Sequence, residues 1–294
     1  MLSTPKAEID ITEELVYELI KNQVHELEHF PLTYLASGWD NVMYRLGEDY
    51  IVRLPRRLLG AKLIRNEQLY LDHLPHNLPI DIPRTIYCGQ PEGDYPWHWS
   101  ILPFYAGVAA DTTTLHSSEI GRFIEFLLCI HQPADDNAPI NIHRGVPLTE
   151  RAADMDTRLL SVKEYLPESY PPLLKLWEKA LSAENHLTDN WIHGDLHPRN
   201  ILVDEGKLSA IIDWGDITSG DVATDLAAIW MLFDDAHARS AGIKLYAMDT
   251  DLLVRAVGWA IYFGTVFYQS GLSDNPRHVK IGEKIFSRIF EDFG

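Results

Sequence analysis

The run from Trp191 to Asp216, W-I-H-G-D-L-H-P-R-N-I-L-V-D-E-G-K-L-S-A-I-I-D-W-G-D, constrains this chain more than any other stretch. Two apolar β-runs, Ile201 to Val203 and Leu208 to Ile212, flank Glu205-Gly206, a pair suited to a tight two-residue hairpin turn. In that register Val203 opposes Leu208, Ile201 opposes Ala210 and Asn200 opposes Ile211. Opposed residues share a face, and so do residues two apart along a strand. Asp213 is therefore expected on the same face as Asn200, at the open end of the hairpin. A one-residue slip would undo that placement. An amide oxygen and a carboxylate meeting there suit Mg²⁺, a hard cation that takes oxygen ligands and keeps phosphates in its shell. Asp195, in the H-x-D that begins at His193, lies just before this end, within reach of a hydroxyl. Together these groups point to phosphoryl transfer. A polar loop beside an ordinary hairpin is the competing reading, and it leaves Asp195, Asn200 and Asp213 without a common reason.

At 294 residues the chain is long enough for one two-lobed unit with a sizeable core. Its net charge of −18 argues against nucleic acid as a partner, since phosphate backbones need a basic surface. The same charge suits a cationic substrate, and equally plain solubility. No apolar run approaches the roughly 20 residues of a membrane helix, so no membrane partner is expected. The first residues, M-L-S-T-P-K-A-E-I-D, hold no signal-peptide core. Cys88 and Cys129 show no metal-site spacing. A reduced, cytoplasmic setting is the expectation.

Ile11 to Leu27 carries a helical apolar stripe. His25-Glu26-Leu27-Glu28-His29 at its end matches the zinc-protease pattern H-E-x-x-H. Both histidines fall opposite the stripe and Pro31 ends the element, so a zinc site is rejected. Strands are expected at 31–36, 41–46 and 50–54. The Ser37-Gly38-Trp39-Asp40 turn between the first two allows backbone N–H groups to approach a phosphate. Arg53 in the third strand and Glu67 in a helix over 61–74 form a cation–carboxylate pair able to position nucleotide phosphates. Two more strands are expected at 83–88 and 97–102. The segment Pro103-Phe104-Tyr105-Ala106-Gly107 then breaks the pattern, and backbone groups there could hold a flat base.

Helices follow at 117–131, 151–165, 172–187, 221–233, 251–269 and 276–293, with a long loop over 132–147. Asp225, inside the apolar 221–233 helix, needs donors, and holding the backbone N–H groups of the 193–197 loop would supply them. Trp259, Tyr262, Phe263 and Phe267 read as core in preference to a substrate wall.

H-G-D-L-H-P-R-N-I-L, I-I-D-W-G-D and D-V-A-T-D-L-A resemble the aminoglycoside phosphotransferase family, which includes macrolide phosphotransferases and is related to protein kinases. The resemblance covers nearly the whole chain. It implies an α+β, two-lobed protein-kinase-like fold, with a small antiparallel-sheet N-lobe over 1–103 and a larger, mainly helical C-lobe over 104–294. It implies Asp195 as the catalytic residue that orients the substrate hydroxyl and takes its proton, with His193 supporting the catalytic loop. Asn200 and Asp213 would bind Mg²⁺, and Asp225 would brace the loop. Arg53, Glu67, Ser37, Leu102 and Phe104 would serve the nucleotide, ATP or GTP, with Leu102 to Phe104 as the hinge. Protein kinases use Lys where this chain has Arg53, and the two differ in reach and geometry. Arg199 stands where relatives often carry Gly and would add positive charge near the transferring phosphate.

The implied activity is phosphate transfer to a hydroxyl of a small molecule, with a cationic aminoglycoside or macrolide antibiotic leading. Asp234 and Asp235 could meet its amines, although an ordinary helix terminus explains them better. A metabolic kinase for an amino alcohol, sugar or hydroxy acid is the alternative within the fold. A nucleotide-binding regulatory module with little catalysis is the alternative of another class.

Overall fold

The computed structural model describes residues 6–184, 189–273 and 275–294. In chain order its elements begin with helix α1 (Glu13–Gln23) and strands β1 (Leu32–Ser37), β2 (Asn41–Leu46) and β3 (Tyr50–Pro55). Helix α2 (Leu58–Tyr70) and strands β4 (Tyr87–Gly89), β5 (Trp99–Pro103) and β6 (Val108–Ala109) follow. Helices α3 (Ile120–Ile130), α4 (Ala152–Tyr165) and α5 (Tyr170–Leu181) lead to strands β7 (Asn190–Ile192), β8 (Ile201–Asp204), β9 (Lys207–Ile211) and β10 (Thr218–Gly220). Helices α6 (Ala223–Leu226), α7 (Ala228–Leu232), α8 (Ala236–Leu245), α9 (Thr250–Ser273) and α10 (Pro276–Phe293) close the chain.

The fold is two-lobed and protein-kinase-like. A five-stranded antiparallel sheet in the order β1-β2-β3-β5-β4 forms the small lobe. Alternation in β2 turns Val42, Tyr44 and Leu46 inward, as a half-buried strand requires. Their core includes Val16, Leu19 and Ile20 of α1. The second core is larger and mostly helical, with Trp177, Trp214, Trp230 and Trp259 fully buried. Leu71, Leu74, Ile80 and Ile82 belong to this second core, so the chain crosses over and returns before residue 103.

Several expected elements are shorter or broken. α1 stops at Gln23, and His25–Leu27 forms a separate 3₁₀ turn, so the H-E-x-x-H residues do not share a helix face. The strand expected over 83–88 shrinks to β4. The 221–233 helix is two short pieces, α6 and α7. α8 and the short strands β6, β7 and β10 are additional to the expected set. Residues 185–187 of the 172–187 helix lie outside the described residues.

The hairpin turn is as expected: Glu205 and Gly206 both have positive φ, 47° and 79°, the two-residue geometry that fits the strand twist. The register is not. Val203 opposes Leu208, but a bulge follows, and Leu202 then opposes Ala210 and Ile201 opposes Ile211. Ser209 is the extra residue, and its hydroxyl donates to the Ala106 carbonyl at 2.6 Å. Asn200 therefore faces Ile212, whose N–H donates to its carbonyl at 2.8 Å. The same-face argument for Asp213 fails. Asp213 instead leaves the strand in the left-handed region, φ 64°, which resets its direction and which Asp tolerates better than most residues.

Candidate active site

β7 delivers the loop from His193 to Asn200, and three attachments fix it. Asp225 on α6, fully buried, accepts from the backbone N–H of His193 at 2.7 Å and of Gly194 at 2.9 Å. His131 Nε2 lies 3.3 Å from the same carboxylate. Gly194 has φ +85°, and a Cβ there would stand 2.8 Å from the Asp216 carbonyl, so only glycine fits. The buried His193 ring spans the loop: Nδ1 accepts from Asp195 N–H at 3.2 Å and Nε2 donates to the Ile212 carbonyl at 3.1 Å. Its ring centroid lies 4.5 Å from that of the tilted Trp214 ring. His193 thus ties the loop to the end of β9.

Asp195 presents a partly exposed carboxylate. Arg144 Nη2 donates to Oδ1 at 2.9 Å, and His197 Nε2 lies 3.3 Å from Oδ2. Burial disfavours the charged form, but His197 and Arg144 outweigh it and hold the Asp195 carboxyl well below the usual carboxylate range. Asn200 Nδ2 donates to the Asp195 carbonyl at 3.0 Å, which leaves Oδ1 as the outward-facing amide atom.

On the other side, Arg53 Nη2 meets Glu67 Oε2 at 2.7 Å, both buried. Arg53 Nη1 stands 3.9 Å from the exposed Asp213 carboxylate. Glu67 Oε2 also accepts from Trp214 N–H at 3.1 Å, and Asn66 donates to the Gly215 and Ile217 carbonyls. α2 is thereby locked onto the turn that carries Asp213. Arg53 Nε and Glu67 Oε1 are buried with no partner. Burial raises the Glu67 carboxyl, with Arg53 opposing. Asp216 links the two sides. Burial and the neighbouring Asp195 and Asp213 carboxylates push it upward, while Arg144 and the Asn141 amide oppose.

The remaining expected residues lie further out. Ser37 ends β1, exposed, and its hydroxyl accepts from Arg56 at 2.9 Å. Leu102 is buried on β5 opposite Ile51. The Phe104 N–H is taken by the Asp49 carbonyl at 2.7 Å, and its ring lies beneath the Arg45 guanidinium at 3.1 Å. Phe104 is thus bound into the sheet and offers a base neither that amide nor that face. Arg199 turns to His278 Nε2 at 2.8 Å, so the positive charge expected of it is directed at α10. Asp234 pairs with Arg288 at 2.5 Å, and Asp235 caps α8 through His237 N–H. Trp259, Tyr262, Phe263 and Phe267 are core, yet two of them back the loop. Phe263 lies 5.0 Å from the Arg144 guanidinium and Phe267 5.1 Å from the His197 ring.

Sequence reasoning missed Arg144 and His197. Arg144 arrives on the 139–145 loop, which is laced to β10. Thr218 Oγ1 donates to the Pro139 carbonyl and accepts from Asn141 N–H, and Asp221 N–H donates to the Gly145 carbonyl. Asn141 Oδ1 accepts from His143 and Arg144 N–H, while its Nδ2 donates to Asp216 at 2.7 Å. The second histidine of the H-x-D-x-H pattern was the available signal for His197.

A profile of the phosphotransferase enzyme family (APH) matches residues 31–255. The chain belongs to this family. It is 29% identical over 107 residues to an aminoglycoside 3'-phosphotransferase of Escherichia coli, a match covering 36% of this chain and 40% of that protein. It is 44% identical over 54 residues to the viomycin phosphotransferase of Streptomyces vinaceus, covering 17% of this chain and 19% of that protein. The chain thus spans well under half the length of these curated relatives. Among solved structures, the GDP complex of aminoglycoside 2'-phosphotransferase-IIIa superposes with a TM-score of 0.69 at 16% identity, covering 96% of this chain and 100% of that one. The apo form of a thermostable mutant of aminoglycoside phosphotransferase APH(4)-Ia gives a TM-score of 0.62 at 16% identity, covering 95% of this chain and 99% of that one. Among the described residues, no helix is long and apolar enough to cross a membrane.

Proposed function

We propose that this protein transfers the γ-phosphate of ATP or GTP to a hydroxyl group of a small molecule, with Mg²⁺. The observation that carries the reading is Asp195. Its carboxylate is fixed by Arg144 and His197 beside Asn200, and His193 ties the same loop to Ile212, the residue before Asp213, which stands beside the Arg53–Glu67 pair.

Asn200 and Asp213 fit a hard divalent cation. The Asn200 amide nitrogen is committed to the loop, which leaves its oxygen as donor, and Asp213 is exposed. Among the described residues no three His, Cys, Asp or Glu side chains converge on one point, so phosphate oxygens and water would complete the shell. Mg²⁺ bound there would neutralise charge on the donor phosphates. Arg53, held by Glu67, keeps a buried Nε for a phosphate oxygen. Asp195 orients the acceptor hydroxyl toward the γ-phosphate. Its depressed pKa makes it a weak base, which suits a loose transition state in which the hydroxyl proton leaves late. Positioning and charge neutralisation supply most of the rate.

The test is Asp195→Asn in a nucleoside diphosphate release assay with a working acceptor. Turnover falls by about 10³-fold or more, as expected for loss of hydroxyl alignment, while nucleotide still binds. Near-intact turnover would sink the assignment. Aminoglycosides enter the acceptor panel because relatives carry aminoglycoside names, and macrolides, sugars, amino alcohols and hydroxy acids are tested alongside them.

A further inference from the structure

The acceptor wall beside Asp195 carries a surplus cation. Asp195 is paired with Arg144 and His197. Asp216 is bonded by the Asn141 amide at 2.7 Å. Asp154 is bonded by Arg158 Nε at 2.9 Å and by the Tyr262 hydroxyl at 3.1 Å. The 139–145 loop, P-I-N-I-H-R-G, contains no acid. Arg151 differs. Its Nη1 meets only the His143 ring, at 2.8 Å, and its Nε is buried without a partner. Among the described residues no carboxylate forms a direct ion pair with it, and its charge adds only to the stronger hold that Arg158 and the Tyr262 hydroxyl have on Asp154. Its guanidinium lies 6.0 Å from the Tyr262 ring, and Tyr262 and Phe263 adjoin each other, the latter beneath Arg144. Arg151 is thus separated from Arg144, the partner of Asp195, by the two adjoining rings of Tyr262 and Phe263, and its hydrogen-bond partner His143 is the chain neighbour of Arg144.

A polycationic acceptor needs free carboxylates for its amines. Those tied to Asp195 through these contacts are all occupied, and the group left over is a planar cation suited to a carboxylate or phosphate. We propose that the acceptor is an anionic alcohol: its hydroxyl meets Asp195 while its carboxylate or phosphate pairs with Arg151. The overall charge of −18 does not oppose this, because the local field at the site is set by these few groups. The proposal rests on the phosphotransfer reading above.

The full chain, with ATP and Mg²⁺, is assayed against hydroxycarboxylates such as glycerate and malate, against sugar phosphates, and against glycerol and kanamycin. Binding of the same compounds is read by calorimetry with a non-hydrolysable nucleotide. An anionic arm turns over best, and the arms separate carboxylate from phosphate. Arg151→Gln raises KM for that acceptor about 10- to 100-fold with kcat little changed, and Arg151→Lys recovers part of the loss. Because Arg151→Lys keeps the charge, it guards against a misfolded Gln variant. Kanamycin preferred over every anion, or an anion KM unmoved by Arg151→Gln, overturns the inference and leaves phosphotransfer standing. No transfer to any acceptor, with anion binding that Arg151→Gln abolishes, removes the phosphotransfer reading but supports the anion site. A wild-type protein that neither binds nor turns over any anion overturns the inference.

Discussion

Arg144 reaches Asp195 at 2.9 Å from a loop 51 residues earlier in the chain. Together with His197, the larger influence, it holds the proposed catalytic carboxyl well below its usual range. Its depressed pKa means that Asp195 stays ionised until the pH falls below the ordinary carboxylate range, where the stabilisation from its partners is lost too. Arg144→Met removes one of the two side chains that hold the carboxylate. The acid limb of the kcat/KM profile then moves to higher pH, and kcat falls roughly 10- to 100-fold as the carboxylate loses its fixed orientation. An acid limb that stays in place would show that Arg144 holds the loop without tuning Asp195.

Arg53 and Glu67 form a buried pair across β3 and α2. Removing one partner leaves an uncompensated charge. Glu67→Ala is expected to cost about 3–5 kcal/mol in denaturant unfolding. The loss includes the Trp214 N–H bond that fixes the turn carrying Asp213. Arg53→Lys keeps the charge but not the fork that reaches from Glu67 toward Asp213. It costs less stability and shifts nucleotide affinity, which an equilibrium titration with both nucleotides measures.

Strands β1 to β3 and the Glu205-Gly206 turn were legible because short runs bounded by turn residues are local properties, although only β2 alternates in burial. The register beyond the turn was not. A bulge adds one residue that periodicity cannot count, and Ser209 is an unexceptional strand residue until Ala106 is known to lie beside it. The placement of Asp213 then depends on one left-handed backbone angle that no pattern announces. Arg144 was hidden for a different reason. It sits in a proline-rich loop, and only the tertiary bonds from Thr218 and Asn141 carry it to the site. Arg199 shows the converse: a basic residue inside the motif whose side chain turns away to His278.

Asp213 is expected to set the metal requirement. Asp213→Asn keeps the shape and removes the charge of the exposed carboxylate proposed as a ligand. The Mg²⁺ concentration for half-maximal turnover rises about 10- to 100-fold. Nucleotide affinity measured without divalent cation changes little, or improves as repulsion of the phosphates is relieved. An unchanged metal titration would move the cation away from Asp213.

Asp225 satisfies two backbone donors of the His193–Asn200 loop while fully buried itself. Asp225→Ala leaves the N–H groups of His193 and Gly194 without acceptors in a site closed to water. Each such group costs about 1–3 kcal/mol, so a loss of about 3–5 kcal/mol is expected in chemical denaturation. Asp225→Asn retains one acceptor oxygen and should lose about half as much. The readout that separates loop bracing from general core damage is amide hydrogen exchange. In the Ala variant, His193 and Gly194 exchange faster by a larger factor than the amides of α9 and α10. Uniform acceleration across those helices would mean that Asp225 serves the core as a whole and not the loop.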